Sequence, residues 1–67
     1  MMQITVNGAV RRYEQPPRVA ELLVELALTG RKIAVERNGE IVPKGAHAAT
    51  TLADGDRLEI VVAVGGG

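Results

Sequence analysis

Apolar and polar residues alternate from the start of the chain. Met2, Ile4 and Val6 fall on one side and Gln3, Thr5 and Asn7 on the other, the period-2 signature of a strand with one wet face. Asn7-Gly8 follows, and because both residue types tolerate positive φ the pair predicts a two-residue hairpin turn. Residues 9–13 form the returning strand. Its pattern is poorer: with Tyr13 turned inward Arg11 shares its face, so Arg11 is expected to run along the sheet margin with its head in water. Pro16-Pro17 ends the hairpin, since proline cannot donate to a ladder, and presets φ for a helix start. Val19, Leu22, Leu23 and Leu26 recur at i, i+3, i+4 and i+7, which predicts an amphipathic helix over 19–28. Gly30 stands where a left-handed C-cap is expected, and Arg31 and Lys32 suit the negative helix end. The helix start is weak, because Arg18 offers no side-chain acceptor to the first amides.

Alternation resumes at Ile33 and Val35, a third strand, and Asn38-Gly39 is a second tight turn leading to a short strand at Ile41-Val42 that Pro43 stops. Residues 44–51 show no period and read as a loop with room for one helical turn. Asp54-Gly55-Asp56 is a third turn. Leu58, Ile60, Val62 and Val64 then alternate with Arg57, Glu59, Val61 and Ala63 in the longest strand, which runs into Gly65-Gly66-Gly67. One helix cannot cover both faces of a sheet, so the class is α+β, with the helix across one face of a mixed four- to five-stranded sheet. The first and last strands are the most apolar, and a parallel central pair made of them, with hairpins outside, buries them best. That is the β-grasp, or ubiquitin-like, arrangement. The expected core is Ile4, Val6, Val19, Leu22, Leu23, Leu26, Ile33, Val35, Val42, Leu52, Leu58, Ile60 and Val62. Residues 1–64 are one domain and 65–67 a flexible glycine tail.

Composition narrows the function classes. At 67 residues the chain holds one domain, and a domain this small buries only about 60% of its unfolded surface, which leaves room for shallow sites only. Zero cysteines exclude a disulfide scaffold, a thiolate metal site and a cysteine nucleophile, and fit a cytoplasmic protein. Eight Lys and Arg balance eight Asp and Glu, so no net field gathers nucleic acid or an anionic membrane. Tyr13 is the single aromatic, which leaves no platform for stacked bases. No apolar run approaches the roughly 18 residues of a membrane span, and the first residues do not form a signal peptide.

Side chains with chemistry are few. His47, the only histidine, stands in a polar loop without a visible partner and reads as a solvated loop residue. Asp54 and Asp56 lack the further oxygen ligands of a calcium loop, so they read as turn residues. Lys44 lies between Gly39 and Gly45 but not in a phosphate-binding loop, and no Ser–His–Asp set can be assembled. Glu21 and Glu25 sit one turn apart and read as a solvated helix face. Two features remain. Gly65, Gly66 and Gly67 follow the last strand without a spacer; with Gly67 read as the chain end, residues without side chains can thread a narrow channel and present a carboxylate to another protein. Fraying is the plain alternative. Val61 and Ala63 point away from the helix beside the tail, either as scattered surface apolarity or as a docking face.

The whole chain resembles the sulfur carrier proteins of thiamine biosynthesis, the ThiS family. The resemblance rests on Met2-Gln3-Ile4-Thr5-Val6-Asn7-Gly8, Val19-Ala20-Glu21-Leu22-Leu23, Ala34-Val35-Glu36-Arg37-Asn38, Ile41-Val42-Pro43, Asp54-Gly55-Asp56-Arg57-Leu58-Glu59-Ile60 and Val64-Gly65-Gly66-Gly67, in that order. Arg18 replaces a usual threonine cap, and three glycines stand where many members have two. The resemblance implies no catalytic side chain. A ThiF-type adenylating enzyme converts the Gly67 carboxylate to an acyl-adenylate, a persulfide donor supplies sulfur, and the thiocarboxylate passes it to thiazole synthase. ATP and Mg²⁺ belong to that partner, and no cofactor or metal is expected on the chain itself. Three other functions are weighed: a small subunit of molybdopterin synthase, a family that tends to be longer and richer in phenylalanine; a ubiquitin-like protein modifier; and a plain binding module.

Overall fold

In the computed structural model, which describes residues 1–63, the alternating opening becomes β1 (Met2–Val6), followed by β2 (Ala9–Tyr13), α1 (Val19–Glu25), β3 (Ile33–Arg37), β4 (Glu40–Ile41), a 3₁₀ turn at Lys44–Ala46, and β5 (Arg57–Val62). Val64, Gly65, Gly66 and Gly67 lie outside the described residues. The sheet has five strands in the order β2-β1-β5-β3-β4. β1 and β5 are the expected parallel central pair, with Val6 opposite Leu58, and the remaining pairs are antiparallel. Both hairpin turns carry positive φ at the expected residues, Asn7 and Gly8 in one and Asn38 and Gly39 in the other. Asn7 does more than turn. Its side-chain amide donates to the Ile60 carbonyl at 3.1 Å, and its carbonyl accepts the Ile60 N–H at 2.7 Å, extending the parallel ladder past the end of β1.

The inward positions of the strands meet α1 in one cluster: Met2, Ile4, Val6, Val35, Leu58 and Ile60 from the sheet, Val19, Leu22 and Leu23 from the helix, and Val42 and Leu52 from the connections. Three expected core residues sit instead at its rim. Leu26 and Ile33 are partly buried against the cluster, Val62 is half-buried, and Met2 takes a full core place. The reason is the helix length. α1 ends at Glu25, short of the expected residue 28, so Leu26 becomes the C-cap. The Ala27 N–H bonds the Val24 carbonyl at 3.0 Å and the Leu28 N–H bonds the Leu23 carbonyl at 2.8 Å. These are the paired bonds of a Schellman motif, with Leu28 folded back on Leu23. Its left-handed residue is Ala27, at φ 59, not Gly30, which takes φ 84 in the following loop. A left-handed conformation costs an L-residue about 1–2 kcal/mol, partly offset in an Ala27→Gly variant by the greater entropy of the unfolded chain. That substitution is expected to stabilise the domain by about 0.5 kcal/mol, a rise of about 2–4 °C in Tm by calorimetry.

The helix start is also better held than Arg18 suggests. The Val19 N–H donates to the Thr50 carbonyl at 2.9 Å, and the Ala20 N–H to the His47 carbonyl at 3.0 Å. The Glu21 carboxylate accepts the Arg18 N–H at 2.7 Å, the returning half of a capping box. Residues distant in sequence thus satisfy amides that the N-cap side chain cannot. Arg11 lies at the exposed sheet margin as expected, and gains a partner there. Its head pairs with Glu25 on α1, and Tyr13 donates its hydroxyl to the same carboxylate at 2.6 Å. The Tyr13 hydroxyl first, then Arg11, holds the Glu25 carboxyl below its usual range.

Candidate functional site

The residues singled out at the end of the chain divide at Ala63. β5 is a central strand, hydrogen-bonded to β1 on one side and β3 on the other, so its direction is fixed from both flanks. The last described bond along it runs from the Ala63 N–H to the Lys32 carbonyl at 2.8 Å. Gly65, Gly66 and Gly67 begin two residues further on, outside the described residues. Val61 and Ala63 occupy successive outward positions and are both exposed, Val61 by 63%, while Ile60 is buried beneath the helix. Period-2 geometry separates the two faces, since Ile60 and Val62 pair with the inward positions Val35 and Ile33.

Register shows what surrounds Val61. It faces Ala34 across the ladder, and the next outward pair is Glu59 with Glu36, itself opposite Ile41 on β4. Ile41 is 62% exposed. Directly opposed like charges oppose pairing, and Arg57 stands two residues before Glu59 on the same exposed face of β5. Neither Glu36 nor Glu59 forms an ion pair among the described residues. The sequence reading missed Ala34 and Ile41 as members of this face. The signal for Ile41 was present: it neighbours Val42, and in an extended chain only one of two neighbours can face the core.

The other candidate side chains have structural duties. His47 is half-buried rather than solvated; its Nε2 lies 3.1 Å from the Val42 carbonyl and so carries the proton in that bond, while its own carbonyl receives α1. Asp54 accepts the Gln3 N–H at 2.7 Å. Asp56 is buried and bonds Arg37, Asn38 and the Ala53 N–H. Glu21 and Glu25 are not a purely solvated pair, as one caps α1 and the other ties it to β2. Among the described residues no cluster of three or more His, Cys, Asp or Glu is placed to hold a metal, and no helix is long and apolar enough to cross a membrane.

A Val61→Asp variant separates surface from core. Because the side chain is largely exposed, its stability loss is expected to stay within about 1 kcal/mol, the span of strand preferences. Affinity for a partner docked on this face is expected to fall at least about tenfold, or 1.4 kcal/mol. Paired melting and titration calorimetry read the two effects, and a large Tm loss with unchanged affinity would show that Val61 serves the fold alone.

The model of the ThiS family matches residues 4–67, through the glycine tail. The chain is 48% identical over 66 residues to a thiazole synthase of Paramagnetospirillum magneticum and 36% identical to one of Magnetococcus marinus. Each match takes in 98% of this chain but 20% of the relative, so the chain spans about a fifth of the length of these relatives. The crystal structure of the thiamine biosynthesis protein ThiS from Geobacter metallireducens superposes with a TM-score of 0.81 at 38% identity, over 98% of this chain and 100% of that one.

Proposed function

The chain belongs to the ThiS family, and on that footing we propose that it is a sulfur carrier of thiamine biosynthesis whose reactive group is the carboxylate of Gly67. A free carboxylate is a poor electrophile. In the proposed sequence a ThiF-type enzyme, using ATP and Mg²⁺, lets a Gly67 oxygen attack the α-phosphorus and expels pyrophosphate. The terminal sulfur of a persulfide then attacks the acyl carbon and AMP leaves. Cleavage of the acyl disulfide by a thiol, which is oxidised to a disulfide, releases the thiocarboxylate. That sulfur is passed to thiazole synthase. The chain itself is a co-substrate rather than the catalyst.

The observation that carries this reading is the family match running through the tail, on a strand held on both sides as far as Ile60 and on the β3 side up to Ala63. A rigid body gives its partner binding energy at a distance from the reacting carbon, and that energy is used to position the tail. Val61, Ala63, Ala34 and Ile41, with the Glu36–Glu59 pair beside them, are proposed as the face that supplies it. The occurrence of this domain as one part of longer chains named thiazole synthase supports that enzyme as the acceptor, in preference to the large subunit of molybdopterin synthase.

Intact-mass analysis tests the proposal. After incubation with the cognate adenylating enzyme, ATP, Mg²⁺, a persulfide donor and a thiol, one oxygen at Gly67 is expected to be exchanged for sulfur. An unchanged mass under conditions where the enzyme is active would overturn it. Higher-mass conjugates to lysines would favour a protein modifier instead.

A further inference from the structure

The early end of α1 opens a second feature, on the face of the sheet opposite Val61. Between the helix end, the loop into β3 and the 3₁₀ turn lies an open groove of about 470 Å³, within the ~300–1,000 Å³ range of ligand sites. Its apolar side is formed by Val24, Leu28 and Ile33, and Val24 is 65% exposed. Around them stand Arg31, Lys32 and Lys44, with His47 beside them, and no Asp or Glu lines the groove. Arg31 and Lys44 form no ion pair among the described residues. The chain as a whole is neutral, so concentrating these cations here leaves the remainder net negative.

We propose that this groove docks a short segment of a partner protein that presents aliphatic side chains next to Asp or Glu. Charge complementarity decides the carboxylates, and the apolar side decides the aliphatic residues. A nucleic acid would satisfy the cations but leave Val24, Leu28 and Ile33 uncovered, and no aromatic side chain lines the groove for its bases to stack on. A lone exposed valine gives little purchase on a bilayer. The site lies across the sheet from the face proposed for the adenylating enzyme, so both can be filled together. It also adjoins the base of the tail, since the Lys32 carbonyl holds the Ala63 N–H. A partner seated here would hold the carrier while its tail reacts elsewhere.

Amide NMR of the ¹⁵N-labelled chain, titrated with the blocked peptide acetyl-Val-Ile-Asp-Leu-Asp-Asp-amide, tests this without any transfer chemistry. Saturable shifts are expected at Val24, residues 28–33 and residues 44–48, weakening as salt is raised. Lys44→Glu and, separately, Val24→Glu each alter an exposed side chain; each is expected to weaken binding at least tenfold while the remaining spectrum stays folded. A peptide with Lys in place of Asp is expected not to bind, and neither is oligothymidylate. The proposal is overturned if no saturable shifts appear, if they fall on the outer sheet face, if Lys44→Glu binds as well as the parent, or if oligothymidylate binds as tightly as the peptide. Sulfur loading at Gly67 is a separate readout, so failure of either proposal leaves the other standing.

Discussion

Appending one tryptophan after Gly67 is expected to abolish adenylation while leaving Tm unchanged. The added residue moves the carboxyl group by up to about 3.5 Å, and reacting atoms must approach to about 3–3.5 Å with aligned orbitals. It also places a bulky side chain where the proposed channel admits only glycine. The fold has no reason to respond, because the core is built from residues 2–60. Pyrophosphate release measured with the cognate adenylating enzyme reads the first effect, and calorimetry reads the second. Continued adenylation of the extended chain would show that the tail does not thread a narrow passage. Removing Gly66-Gly67 gives the complementary check: a plain binding module would keep its activity, whereas a sulfur carrier would lose it.

Asp56→Ala is expected to produce the largest loss of stability from a single polar side chain. Asp56 is 6% exposed. One carboxylate oxygen accepts the Arg37 Nε–H and the Ala53 N–H, each at 2.8 Å, and the other accepts the Asn38 amide at 2.9 Å. Asn38 in turn accepts the Arg57 N–H at 2.9 Å, and the Asp56 carbonyl accepts the Thr5 N–H at 3.0 Å. One side chain therefore joins the β3–β4 turn to the start of β5, and its main chain joins β5 to β1. Truncation leaves three donors without their acceptor, at a cost of about 2–4 kcal/mol, or a fall of the order of 10–20 °C in Tm. Asp56→Asn keeps the shape without the charge and is expected to fall between.

The same carboxylate makes stability depend on pH. Burial pushes the Asp56 pKa up, but the Ala53, Asn38 and Arg37 bonds together outweigh it, and the net shift is downward. A group whose folded pKa lies below its unfolded value, near 3.9 for Asp, binds protons more readily when unfolded. Its stabilisation is present in full above that value and is lost as pH falls through the lower, folded value. Glu25 shifts in the same direction. Urea unfolding at pH 7 and near pH 3 is expected to show a smaller difference for Asp56→Asn than for the parent, and equal differences would remove Asp56 from the account.

The parts of the fold legible in the sequence were those fixed by local rules. Alternation at Met2, Ile4 and Val6 and at Leu58 and Ile60 assigns a face to each strand regardless of neighbours. Asn7-Gly8 and Asn38-Gly39 fix tight turns because the left-handed region is open to them. The apolar stripe of α1 was readable from its start, but its end was not. Gly30 offered an apparent stop, and the chain turned left-handed at Ala27, a residue that ordinarily avoids it. Leu28 reaching back to Leu23 favours that turn, and such a pairing is visible only once the helix has a core to pack on.

The candidate site divides the same way. The outward position of Val61 follows from period, whereas Ala34, Ile41 and the Glu36–Glu59 opposition depend on which strands lie side by side. The basic groove is less legible still, since Val24 and Lys44 share it only through the closure of the fold.

What the sequence alone determined is the one-helix β-grasp pattern and the central pairing of its first and last strands. These follow from spacing and residue type, which act between near neighbours. Tertiary structure decided how Arg18's missing cap is replaced by the Thr50 and His47 carbonyls, how Arg11 and Tyr13 hold Glu25, and how Asp56 links two turns to the start of the last strand. Each of these joins groups distant in sequence. The partner of a buried or terminal polar group is set by which surfaces close over it, and spacing along a chain carries no record of that.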